Sequence, residues 1–174
     1  MEHSLWQFFV DHRPQLVVDV AKVMSTLGDE TVLVLAAVLL FAFGVAVKRR
    51  TASTFGPLVA LVPTVVVVGV MKALINRDRP PSVSALVHVT SASMPSGHAA
   101  YAAALAATVW VATAGTSGAT VRRTAAIGAA VLAGIARMVL GVHWFGDVLA
   151  GWLVGATLGF CVVRELAKRL QSNP

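Results

Sequence analysis

The sequence predicts an all-α fold, a polytopic bundle of transmembrane helices, and three observations carry that prediction. Of its 174 residues 57% are hydrophobic and only 13% charged, with a mean hydropathy of +0.78, outside the usual range of soluble globular chains. Apolar runs at 31–47, 51–71, 99–121, 124–142 and 148–163 contain a single charged residue, Arg137, and each is close to the roughly 17–25 residues that cross a bilayer as a helix. The charges between the runs, finally, sort to two sides. Five spans in one integral membrane domain, 1–174, follow.

Residues 1–14 hold Glu2, Asp11, His12, Arg13 and Pro14, too polar a set for hydrocarbon and too short for a domain. No basic start with an alanine-type cleavage site precedes the first run, so no removable signal peptide is expected. In 15–27, Gln15, Asp19, Lys22 and Thr26 recur at helical spacing with Leu16, Val17, Val20, Val23, Met24 and Leu27 elsewhere. That pattern suits an amphipathic helix in the membrane interface, ended by Gly28; a short or tilted sixth span is the alternative. The spans then alternate. One side receives Lys48, Arg49, Arg50, Arg122, Arg123, Arg164, Lys168 and Arg169 with Glu165 as its only acid, and by the positive-inside rule it faces the cytoplasm. The other receives Asp29, Glu30, the turn at 141–147 and the one long connection, 76–95, whose NRDRPPS and SASMPSG ends are rich in turn formers.

The net charge of +6 comes with no basic face interleaved with aromatics, so it reflects membrane topology and not a nucleic-acid partner. Cys161, the only cysteine, rules out a disulfide within the chain and a cysteine-cluster metal site.

The polar residues a membrane protein should avoid converge on the second side. Lys72 ends the second run and Arg79 follows; Ser96, Gly97 and His98 open the third; Arg137 lies late in the fourth; His143 and Asp147 flank the start of the fifth. An arginine inside a span costs roughly 2.5–3.5 kcal/mol on insertion scales and by default marks a site. Three cations at one place call for a polyanion, and phosphate suits arginine forks and a lysine point charge. Ser96-Gly97 at a helix start adds free N–H groups and a close backbone approach; Ser96 either caps the helix or bonds the ligand. His98 and His143 divide into a neutral nucleophile and a protonated acid near neutral pH. Asp147, one turn beyond His143, can fix its tautomer, making His143 the nucleophile and His98 the acid. His3, His12 and His88 lack such company and read as surface residues, and Arg77 and Asp78 as solvated loop charges.

These residues carry a resemblance. K-x6-R-P as Lys72 to Pro80, PSGH as Pro95 to His98 and R-x5-H-x3-D as Arg137 to Asp147 resemble, in order, the motifs of the type 2 phosphatidic acid phosphatase superfamily of membrane lipid phosphatases. The third motif usually begins Ser-Arg; here Ala136 precedes Arg137, which removes a hydroxyl and spares every charged and histidine position. The resemblance implies phosphate binding by Lys72, Arg79, Ser96, Gly97 and Arg137, a phosphohistidine on His143, orientation of His143 by Asp147 and protonation of the leaving group by His98. It implies no cofactor and no metal, a lipid phosphate as the molecular partner and, for a chain this small, a polyprenyl (undecaprenyl) pyrophosphate as substrate; the loop charges place the site on the extracytoplasmic side of the plasma membrane. Phosphatidylglycerol phosphate, phosphatidic acid and polyprenyl-phosphate sugar phosphates are the alternatives. A non-catalytic lipid-binding or transport protein is the competing class; a histidine tuned by a carboxylate speaks against it. A channel is weaker, because the charges gather at one face.

Overall fold

The computed structural model describes residues 2–172, which form seven α-helices and a short 3-10 turn, with no strand among the described residues. In chain order they are α1 (Glu2–Asp11), α2 (Gln15–Leu27), α3 (Glu30–Ala46), α4 (Ala52–Ile75), the 3-10 turn Ser82–Ser84, α5 (Gly97–Ala112), α6 (Ala119–Val139) and α7 (Phe145–Ser172).

By length and apolarity α4, α6 and α7 qualify as membrane spans, and α2 with α3, bent by 49° at Gly28-Asp29, makes a fourth. Five spans were expected. With α2 and α3 counted as one span, the difference lies in α5, whose 16 residues extend about 24 Å, somewhat short of a hydrocarbon core of about 30 Å. The apolar run 99–121 is not one helix. Gly115 and Gly118 adopt positive φ, +71° and +69°, a conformation natural to glycine, so the chain turns there and residues 119–121 open α6.

Local chemistry sets the other boundaries. Asp29 caps α3 by accepting from the Thr31 N–H at 2.9 Å, and Thr51 and Thr54 form a reciprocal capping box at the start of α4. Asn76, left-handed at φ 43°, ends α4 and swings the chain into the connection that carries Arg77 and Arg79. The amphipathic helix expected at 15–27 is α2. No helix was expected at 2–11, yet α1 forms there and buries Trp6, whose indole N–H donates to the Gly141 carbonyl at 3.4 Å. Glu2 of α1 reaches Arg77 and the Gly146 N–H, while His3, Ser4, Gln7 and Asp11 are exposed.

At the centre stands α5, with Ala99, Ala100, Tyr101, Ala103, Ala104, Ala107 and Thr108 buried. Gly151, Gly155 and Gly159 of α7 lie against the carbonyls of Ser96, Ala100 and Ala104, where an added Cβ would collide with backbone. Small residues let two membrane helices approach this closely. The pairing holds the start of α5 against the start of α7, so PSGH meets the third motif.

Candidate active site

One end of the bundle gathers the C-terminal ends of α4 and α6, the N-terminal ends of α5 and α7, and the bend between α2 and α3. They enclose a cavity of about 580 Å³ lined by Lys72, Arg79, Gly97, His98, Arg137 and His143. Asp29, Glu30, Ser25, Tyr101 and the exposed His88 line it as well. Asp147 lies just behind, fully buried.

His143 sits in the turn between α6 and α7, 2% exposed. Its Nδ1 is 3.4 Å from Asp147 Oδ2, a polar contact longer than a formed hydrogen bond, and among the described residues that nitrogen has no hydrogen-bond partner. Its Nε2 is 3.2 Å from Arg79 Nη1. Arginine only donates, so Nε2 carries the lone pair and Nδ1 the proton. Burial, with the Arg79 and Arg137 charges adding and Asp147 opposing, pushes the His143 pKa down to about 3, which keeps the ring neutral.

Asp147 is held from several sides. Oδ2 accepts from Ser93 Oγ at 2.5 Å and from the Trp144 N–H at 2.9 Å, and Oδ1 from Arg77 Nη1 at 2.8 Å. Arg77 is therefore not a solvated loop charge. Burial works against its cation, but the hydrogen bond to Glu2 and the charge of Asp147 outweigh it, and its pKa is raised. Asp78, by contrast, is exposed.

The cations are steered by main-chain acceptors. Lys72 Nζ donates to the Ala92 carbonyl. Arg79 donates to the carbonyls of Ser91 and Val142, both at 2.7 Å, and burial lowers its pKa from the ordinary value. Arg137, 3% exposed, donates to the Ser25 hydroxyl, while its Nε has no partner. Ser25 also accepts, through its carbonyl, from His98 Nε2 at 2.9 Å, and Gly28 packs against the His98 ring. The α2–α3 corner thus braces two site residues at once.

Ser96 stands apart from the others. It is fully buried, makes no capping bond and leaves Oγ without a partner among the described residues, and it commits its N–H to the Asp147 carbonyl at 2.9 Å. It shapes the turn that presents Gly97 to the cavity. Among the described residues no group of three His, Cys, Asp or Glu side chains comes together to hold a metal ion.

Sequence reasoning missed Arg77, Ser93, Ser25 and Glu2. Only Arg77 left a signal, a second arginine two positions before Arg79 in NRDRP.

A helical membrane bundle whose one polar end joins three cations, two histidines and a buried carboxylate defines a membrane lipid phosphatase. The sequence profile of the PAP2 superfamily matches residues 53–170, more than half of the chain, and the chain belongs to that superfamily. The fold is similar to the crystal structure of a transmembrane PAP2-type phosphatidylglycerolphosphate phosphatase from Bacillus subtilis, at 27% identity and a TM-score of 0.83 over 99% of this chain and 87% of that one. It is also similar to Aquifex aeolicus LpxE, at 23% identity and a TM-score of 0.74 over 94% of each chain; that likeness concerns the fold alone. A search of curated protein sequences finds no match.

Proposed function

We propose that the protein removes the terminal phosphate of a membrane lipid at the extracytoplasmic face of the plasma membrane through a phosphohistidine on His143. The observation that carries the reading is the placement of His143: Nδ1 toward Asp147, Nε2 toward Arg79, inside a cavity that also holds Lys72, Arg137 and His98.

In this reading Lys72, Arg79 and Arg137 bind the phosphoryl oxygens and neutralise their charge in the transition state, with Gly97 at the helix N-terminus beside them. Nε2 of His143 attacks phosphorus. The bond to the leaving oxygen breaks, and that oxygen keeps the electron pair and takes a proton from His98. Water then attacks the phosphohistidine and gives its proton to His98. The N–P bond breaks with its pair returning to Nε2, and phosphate leaves. Asp147 holds the Nδ1 proton throughout.

Two lipids lead as substrates. Polyprenyl pyrophosphate follows from the small size of the chain. Phosphatidylglycerol phosphate is supported by the 27% identical Bacillus subtilis phosphatase and by Asp29 and Glu30, which share the cavity with the cations. Carboxylates accept from the hydroxyls of a glycerol head group and repel a second phosphate. We therefore place phosphatidylglycerol phosphate first.

The test is phosphate release by purified protein in detergent with excess EDTA, comparing both lipids and phosphatidic acid. Release should persist in EDTA, be fastest from phosphatidylglycerol phosphate, and fall by roughly 10³-fold or more in His143→Ala. Glu30→Gln should move the preference toward the pyrophosphate. No release from any of the lipids by folded protein would favour the binding or transport class.

A further inference from the structure

Arg79 and Arg77 grip opposite ends of one pair. Arg79 meets His143 Nε2 on the cavity side at 3.2 Å. Arg77 meets Asp147 Oδ1 from behind at 2.8 Å and does not line the cavity. Only Arg79 occupies a defining position of the K-x6-R-P motif, so nothing in the motif assigns a task to Arg77.

We propose that Arg77, held by Glu2 of α1, is a positioning residue for phosphoryl transfer: it neutralises the buried Asp147 and turns that carboxylate so that Oδ2 faces His143 Nδ1. The inference rests on the reading of His143 as nucleophile.

Asp147 is wholly buried, and a buried carboxylate without a cation is strongly disfavoured. Among the described residues, Arg77 is the only cation in ion-pair contact with it, and the neutral His143 ring is its other close neighbour among the titratable groups. Lys72, Arg79 and Arg137 line the cavity instead. Oδ1 has Arg77 as its hydrogen-bond partner, while Oδ2 takes Ser93, the Trp144 N–H and the His143 contact. The two oxygens are thus assigned to different neighbours, and the assignment fixes the carboxylate plane.

Glu2 completes the clamp. Its Oε2 accepts from Arg77 Nη2 at 2.6 Å and its Oε1 from the Gly146 N–H at 2.8 Å. Gly146 precedes Asp147, and an added Cβ there would run into Glu2. Glu2 therefore holds both the arginine and the backbone beside the carboxylate it serves. The charged groups facing the pair are Lys72, Arg79 and Arg137 from the cavity side and Arg77, with Glu2 behind it, from the other.

Removing the Arg77 cation makes protonation of both Asp147 and His143 easier, so the acid limb of the rate profile must move to higher pH. A residue that only staples the 76–95 connection to α7 would lower stability without moving that limb. The experiment measures kcat, KM and the pH profile of phosphate release from phosphatidylglycerol phosphate and polyprenyl pyrophosphate, together with acid-labile phosphoenzyme, for wild type, Arg77→Met, Arg77→Lys, Glu2→Gln and His143→Ala in detergent. Arg77→Met should lose about 10- to 100-fold in kcat, the range typical of residues that orient a reactive ligand, with KM within about twofold and the acid limb raised. Arg77→Lys should return the limb to its wild-type place and recover only part of kcat, because one ammonium cannot reproduce the two-pronged bridge. Glu2→Gln should fall in between.

A kcat within about threefold of wild type and an unmoved limb in Arg77→Met would overturn the proposal, as would a raised KM at unchanged kcat, which would make Arg77 a phosphate ligand. Should Arg77→Met fail to fold, wild-type kcat and limb in both Arg77→Lys and Glu2→Gln overturn it equally. His143→Ala that still releases phosphate, or wild type that forms no phosphoenzyme, would overturn the nucleophile reading and this proposal with it. Inactive His143→Ala beside unaffected Arg77 variants overturns the proposal alone.

Discussion

His143 titrates far from its ordinary range, and its sign can be worked through. Its folded pKa is lowered from 6.5 to about 3, first by burial. Between those values the unfolded chain binds a proton that the folded chain refuses, so stability is complete above 6.5 and declines as pH falls through the window. The decline reaches at most about 1.4 kcal/mol per pH unit for this one group. Thermal unfolding in detergent from pH 7 to pH 4 should show a falling midpoint, and His143→Asn should flatten the slope. Lys72, Arg79, His98, Arg137, His143 and Asp147 were legible because charged and imidazole side chains are rare in a membrane chain, while Ser96 and Gly97, common in such chains, stood out only beside His98. Their supports were not. Ser25 and Ser93 are ordinary serines whose value comes from a partner 112 or 54 positions away, and such distance leaves no local pattern. Arg77 was misread for the same reason, since its partners are 75 and 70 positions distant.

Among the elements, the α5–α7 seam positions the two histidine motifs relative to each other. Gly155 lies where a side chain would strike the Ala100 backbone, so Gly155→Leu should separate the helices. Overpacking of that kind typically costs about 1–3 kcal/mol, and activity should fall further than stability, because the seam sets the distance between the α5 start and Asp147. Circular dichroism melts beside phosphate release would check both. The α2–α3 corner is the second brace. Ser25→Ala removes the side-chain acceptor that, among the described residues, is bonded to buried Arg137, with an expected loss of about 1.5–3 kcal/mol for a hydrogen bond to a charged group. Periodicity and composition made α2, α4, α6 and α7 readable. The α5–α6 break was written in glycines inside an apolar run, where continuity of hydropathy outweighed the turn signal. α1 was hidden because its apolar face is short and its polar anchor, Glu2, finds its partners 75 and 144 positions away.

Across the whole molecule, the polar cavity occupies one end and a set of exposed basic residues the other. Lys48, Arg49, Arg50, Arg122, Arg164, Lys168 and Arg169 are exposed at the end away from the cavity. Val83, 91% exposed on the 3-10 turn, reports on the functional end. In a Cys161→Ser background, Val83→Cys should react with an impermeant thiol reagent in intact cells; protection until the membrane is broken would reverse the orientation. Between α5, α6 and α7 an apolar groove of about 760 Å³ contains Trp110, Trp152 and Cys161, a surface suited to lipid chains. The clamp at Glu2 also has a bearing on biosynthesis. Glu2 and Trp6 are synthesised well before their partners Gly146 and Gly141, which lie 144 and 135 positions later. The α1 segment must therefore wait on the membrane surface until the α6–α7 hairpin inserts. Only then does the polar cavity close, so a chain stopped before that hairpin carries Lys72 and Arg79 without the His143–Asp147 pair.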